Sequence, residues 1–199
     1  MSKSEGQNKA LTIAKDKLRD IDLNERLKLL GFKGFQNKTM CFKLFDNQVI
    51  FDEESLHLIK ADSNEHLRSD DAILFFHYLN YVAPVIKSDQ YISFRELPGG
   101  LFYWDSFQAR SVVPLVKRIG NDLAMLKKNL ARFDWEPKKG GDFGAKIHAV
   151  GNINLLLNYQ LGDDEFPPAA NILFSEPIRK IYSAEDVAVM AGRICIGLL

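Results

Sequence analysis

Tyr91-Ile92-Ser93-Phe94-Arg95-Glu96-Leu97-Pro98-Gly99-Gly100-Leu101-Phe102-Tyr103-Trp104 decides how this chain is read. The first four residues have strand character, and Pro98-Gly99-Gly100 breaks the run in a tight turn. Neighbouring residues on a strand point to opposite faces, which would send Arg95 and Glu96 apart. Before this strand, Ser69, Asp70 and Asp71 open a helix that is apolar almost all round through Val82, the pattern of a helix in mid-core. After it, apolar stripes predict two helices across residues 105–133, the second carrying Leu123, Leu126, Leu130 and Phe133.

Working outward, a two-residue period sets in at Thr39. Met40, Phe42 and Leu44 alternate with Cys41, Lys43 and Phe45, so both faces carry apolar groups, as in a strand covered on both sides. Asp46-Asn47-Gln48 turns into Val49-Ile50-Phe51, and Leu56, Leu58 and Ile59 complete a hairpin or three-stranded meander. Residues 145–150, 153–159 and 171–174 read as further strands, while 136–144, rich in Lys, Gly and Pro, reads as a loop. Ser183 and Asp186 cap a last helix through Val187, Met190, Ile194 and Leu198. Strand runs separated by groups of helices indicate α+β: a mixed or mainly antiparallel sheet with helices grouped on one face. Residues 1–8 are polar and expected to be disordered. An N-terminal helical appendage covers residues 1–36, with Asp22 and Glu25 as a cap, and a single α+β domain covers 37–199.

Bulk composition bounds the function. The 199 residues carry 26 basic and 26 acidic side chains, so the net charge is zero. That removes a global electrostatic attraction to nucleic acid or membrane. Locally the charge is uneven: 117–139 is basic and 161–186 acidic, and the basic face would suit an acidic protein partner. It lacks the interleaved aromatics of single-strand binders. No apolar run reaches the ~18 residues of a membrane span, and no secretory pattern opens the chain, so the cytoplasm is the expected location. Cys41 and Cys195 form no C-x-x-C pair, which excludes a cysteine-ligated cluster made by this chain alone. Both lie in apolar patterns and are expected to be buried and reduced. No strand leads into a glycine-rich helix start, so neither dinucleotide nor P-loop binding is indicated and no cofactor is named. Nothing in the sequence sets an oligomeric state.

The second charged turn is Gly162-Asp163-Asp164-Glu165-Phe166-Pro167-Pro168. Taken with Ser93 to Gly100, with Ile172-Leu173-Phe174 and with Tyr182 to Asp186, it resembles a prokaryotic family known as domain of unknown function 3786, over roughly residues 70–199. The resemblance implies a cytoplasmic protein of anaerobic bacteria and archaea, some of whose relatives carry an iron–sulfur domain alongside. It brings no activity. This chain lacks the cysteine-rich extension of such relatives, and Tyr159-Gln160-Leu161 stands where a tryptophan is expected.

The candidate site is the meeting of these two turns. Arg95 offers a planar donor fork for a carboxylate or phosphate, or else bonds Asp163, Asp164 and Glu165 and ties two loops together. Gly99 and Gly100 permit a close backbone approach or a positive φ. Tyr103 and Trp104 would flank a planar ligand, or serve as ordinary core and rim aromatics, while Phe166 with Pro167 and Pro168 fixes the exit of the acidic turn and makes that side of the ligand site rigid. The three acids have the oxygen chemistry for magnesium or calcium, but consecutive acids make no EF-hand, and no metal is expected. Glu96 and Asp163 would be the acid–base pair of a carboxylate-based enzyme. His57 and His66 read as surface residues. A small polar or planar ligand between 95–104 and 162–167 is the leading expectation. A protein partner without catalysis, or an enzyme, are the alternatives.

Overall fold

The structure, a computed structural model, describes residues 3–199. Residues 1 and 2, part of the stretch expected to be disordered, lie outside it; residues 3–8 are helical instead. The described chain forms two compact units, residues 3–86 with 150–152, and residues 87–149 with 153–199. The line drawn from sequence after residue 36 falls inside the first of these.

In the first unit, α1 (Lys3–Asp16) and α2 (Leu23–Leu29) precede three strands, β1 (Thr39–Leu44), β2 (Asn47–Asp52) and β3 (Leu58–Lys60), and then α3 (Ser69–Leu79). Asp22 caps α2 by accepting from the Glu25 N–H at 2.9 Å, and Gly31 leaves the helix at a φ of 92° that a side chain would resist. The strands make an antiparallel meander in the order β1-β2-β3, with Phe42 opposite Val49 and Phe51 opposite Leu58. Its inner face meets α3 through aromatic rings. Phe42 stacks on Phe75 at 4.7 Å, and Phe51 meets the same ring edge-on at 5.2 Å. Such pairs add roughly 0.5–1.5 kcal/mol each beyond the area they bury.

Strand β1 is covered on one face only. Met40, Phe42 and Leu44 are buried while Cys41 is exposed. The expectation of a buried Cys41 and a strand covered on both sides is therefore corrected. Phe45, which suggested the second apolar face, belongs to the turn, with φ 55°. A polar tie sits deeper: the Tyr78 hydroxyl donates to the Leu30 carbonyl at 2.9 Å and accepts from the Asn152 N–H at 3.0 Å.

The second unit runs β4 (Tyr91–Ser93), a 3₁₀ turn (Phe94–Glu96), α4 (Gly100–Arg110), α5 (Val112–Ile119), α6 (Leu123–Leu130), β5 (Trp135–Lys138), β6 (Phe143–Val150), β7 (Ile153–Gln160), β8 (Ala169–Ser175), α7 (Ile178–Ile181) and α8 (Ala184–Gly197). Its sheet has the order β4-β8-β7-β6-β5 and is antiparallel, so the protein is α+β with two antiparallel sheets. Along β6, Ala145, Ile147 and Ala149 are buried and alternate with half-buried Lys146 and His148. Three helices replace the two expected between residues 105 and 133. The stretch 136–144, read as a loop, opens with β5, whose Pro137 sits opposite Ala145. Proline is tolerated there because β5 is an edge strand and one side of its backbone has no ladder to join. Ser183 and Asp186 form the expected capping box at α8, which buries Val187, Met190, Ile194 and Cys195. No described helix is long and apolar enough to cross a membrane.

Two tests follow from these burials. The Tyr78 phenol is pushed up to about 12 by desolvation, from an ordinary 10.0. Its fold prefers the neutral form, so this stability is whole below pH 10 and drains away as pH rises toward 12, by up to about 3 kcal/mol at ~1.4 kcal/mol per unit. Tyr78→Phe should cost about 1–3 kcal/mol near neutral pH in urea denaturation and flatten that alkaline decline. Separately, one thiol per chain (Cys41) should react rapidly with Ellman's reagent in the native protein. Cys195, whose thiol burial pushes up to about 12, should react only on unfolding.

Candidate functional site

The turn that opens this site is built by its own side chains. Glu96 accepts from the Ser93 N–H at 2.7 Å and, with Ser93, closes a capping box around the 3₁₀ turn. Arg95 and Glu96 therefore lie on a helical turn rather than on the strand expected, and their divergence does not come from strand alternation. Gly99 has φ 77° and precedes the first residue of α4. A Cβ at Gly100 would lie 2.0 Å from the Phe94 carbonyl oxygen. The close approach read from the Gly-Gly pair is thus internal: α4 starts hard against the turn before it.

That contact sets an aromatic column. Phe94 and Phe107 stack at 4.2 Å with planes 7° apart, and Phe174 of β8 meets Phe107 at 6.0 Å. Trp104 rests on the outer end, 5.5 Å from Phe107. Over Trp104 lies the Arg95 guanidinium, 4.1 Å from the ring centre. Among the described residues no carboxylate pairs with Arg95. Its donors, held flat on the indole, remain open to solvent. Beside it Leu101 and Phe102 are 74% and 85% exposed, and Phe102 touches Tyr103 edge-on at 5.2 Å.

The acidic turn is fixed at its own place. Asn121, before α6, grips Gly162 twice, donating to its carbonyl at 3.0 Å and accepting from its N–H at 2.8 Å. Asp163 spends one oxygen on the N–H groups of Glu165 and Phe166, at 2.9 and 2.7 Å. Asp164 and Glu165 are exposed, and Phe166 is 66% exposed. The register gives the direction of each stretch: β4 exits toward the end of β8 at which the acidic turn leads in, with Ser93 opposite Leu173 and so four residues short of Ala169. β4 runs from opposite Ser175 toward Leu173, and β8 begins at Ala169 where the acidic turn ends. No hydrogen bond or ion pair joins Arg95 to Asp163, Asp164 or Glu165 among the described residues.

Both candidate acid–base carboxylates are turn-builders. Backbone hydrogen bonds, from Ser93 to Glu96 and from Phe166 and Glu165 to Asp163, hold each below its ordinary carboxylate value. A general acid at neutral pH needs the opposite shift.

A charged cluster escaped sequence reading. Glu136 of β5 stands opposite Lys146 of β6 and pairs with it at 3.2 Å, with Asp89 at 3.7 Å. Burial works against the Lys146 charge, but Glu136, Tyr91 and Asp89 outweigh it and its pKa is raised. Lys146 is a fixed cation, not a base. The Tyr91 hydroxyl beside it is buried without a hydrogen-bond partner among the described residues. The signal was the ten-residue spacing of Glu136 and Lys146 about Gly140-Gly141, legible only once 135–138 is taken as a strand. In the first unit a concavity of about 540 Å³ has Leu18, Ile21, Leu23 and Leu56 in its wall, with Asp22, Glu53 and Glu54; none of the 95–104 residues lines it.

An α+β protein with two antiparallel sheets and an arginine laid on a tryptophan is the class that fold and site define. Within that class the chain belongs to the family described as Domain of unknown function (DUF3786), whose profile matches residues 22–196. No curated protein and no solved structure matches it.

The internal packing of Gly100 is open to test. Gly100→Ala should lower stability by on the order of 3 kcal/mol, since the methyl group meets backbone that cannot yield cheaply. Gly99→Ala should cost about 1 kcal/mol, the price of a left-handed φ alone. Equal, small losses in thermal melts of the two variants would contradict this geometry.

Proposed function

We propose that this chain is an accessory binding module whose contact surface is residues 95–104, and that its partner is a protein segment presenting a carboxylate beside apolar side chains. The observation that carries this reading is Arg95, stacked on Trp104 at 4.1 Å and without a carboxylate of its own. A guanidinium held flat by a ring has lost part of its rotamer freedom in advance, so a bidentate carboxylate bond costs less to form. Leu101 and Phe102, at 74% and 85% exposure, supply the apolar rim. Arginine and aromatic residues are the types that dominate binding energy at protein interfaces.

A second reading keeps the same anchor with a small ligand. An aromatic carboxylate would pair with Arg95 and lie along the Trp104 edge, with the 162–167 turn as one rim. The exit of β4 toward the end of β8 where the acidic turn leads in is the observation that favours it. A photoreactive phenylalanine analogue at position 102 separates the two. A discrete protein adduct in cells, reduced about tenfold by Arg95→Ala, is expected. Benzoate-type acids raising the melting temperature of wild type but not of Arg95→Ala, with no adduct formed, would move the conclusion to the small ligand. Neither response would overturn both.

A further inference from the structure

We propose that His57 and His66 form a chelating pair for a divalent transition metal of the zinc type, a site separate from the 95–104 surface. His66 is bridged antiparallel to Ile59. His57 stands two residues before Ile59 and so projects from the same face, one diagonal step from His66. The surrounding backbone is tied: the Asp52 N–H donates to the His57 carbonyl at 3.0 Å, and the N–H of Leu67, next to His66, donates to the carbonyl of Leu58, next to His57, at 3.1 Å. The two rings are thus carried on a hydrogen-bonded frame rather than on loose loops.

Their separation has the size a shared ion requires. The ring centres are 5.2 Å apart with planes at 86°. For one tetrahedral zinc, a metal–nitrogen bond of about 2.1 Å and about 1.1 Å more to each ring centre place two imidazole centres about 5.2 Å apart. The rings now meet edge to face, so one must turn about its side-chain torsions to aim a nitrogen at the shared ion, a movement open to an exposed histidine. Both histidines are exposed, and neither side chain hydrogen-bonds to a described residue, so their nitrogens stay open to solvent. The Asp52 carboxylate lies within electrostatic reach of His57, and its charge favours a cation there.

Among the described residues no group of three or more His, Cys, Asp or Glu side chains is gathered for a metal. The pair therefore supplies two ligands, and water fills the other positions, which makes an exchangeable site rather than a closed structural one. The rival explanation is a plain edge-to-face ring contact, which binds nothing.

Titration of the metal-stripped full chain with zinc ions by calorimetry decides between them. One site per chain in the micromolar range is expected. His57→Ala and His66→Ala should each weaken it at least about tenfold, which is ~1.4 kcal/mol, with far-UV circular dichroism unchanged. Cys41→Ser should leave it intact, since the exposed thiol is the obvious competitor. Absence of stoichiometric binding, persistence in both histidine variants, or loss in Cys41→Ser would each overturn the proposal.

Discussion

The stack of Phe94 on Phe107, 4.2 Å apart and nearly coplanar, is the contact on which the 95–104 surface depends. It fastens the exit of β4 to the third turn of α4, and it does so across a gap that Gly100 alone can leave open. A Cβ there would strike the Phe94 carbonyl, push α4 outward and part the rings. With the stack in place, Phe107 fixes Trp104, Trp104 fixes Arg95, and Phe174 anchors the column in β8. Each member is cheap to hold because the one beneath it is already held.

The first unit uses the same economy with a polar centre. Phe42, Phe51, Phe75 and Phe76 fill its core, but rings alone do not say where the chain should stop and turn. Tyr78 adds that direction, since its hydroxyl both gives and takes a hydrogen bond inside an apolar shell. Buried polar groups are expensive unless satisfied, so only an arrangement bringing Leu30 and Asn152 to that oxygen is well tolerated.

How much of this could be read in advance follows from what kind of signal each element carries. The meander of 39–60, strand β7 and the capping box of α8 depend on local spacing, and they were legible. Cys41 was misjudged because Phe45 looked like the partner of an inward-facing strand position, whereas it is a turn residue. β5 was hidden by Pro137, which argues against a strand unless one already knows that the strand lies at an edge. Leu101 and Phe102 received no role because the helix was expected only from about residue 105, whereas α4 begins at Gly100. Their exposure is set by how α4 is pinned at Gly100, and that is a tertiary fact. Gly99 was legible as a turn glycine of positive φ, whereas Gly100 and Trp104 owe their places to Phe94 and Phe107, and Arg95 to Trp104, contacts that spacing does not announce. The His57–His66 contact rests on a backbone bridge between Ile59 and His66, seven residues apart, and nothing periodic announces it.

The separation of Arg95 from the acidic turn has a chemical logic of its own. A carboxylate free to move would be drawn to an unpaired guanidinium in the same unit. Asp163 is not free, because two backbone N–H groups of its own turn already hold it, and Asn121 holds the turn at its base. Glu96, the nearest acid in sequence, is likewise committed to Ser93. Charge-assisted bonds to backbone are strong and short-ranged, so these acids gain little by leaving them. Asp164 and Glu165 are exposed and make no bond to Arg95 either. The guanidinium itself is solvated and stacked at little cost; what folding alone does not account for is the exposure of Leu101 and Phe102 beside it, at 74% and 85%.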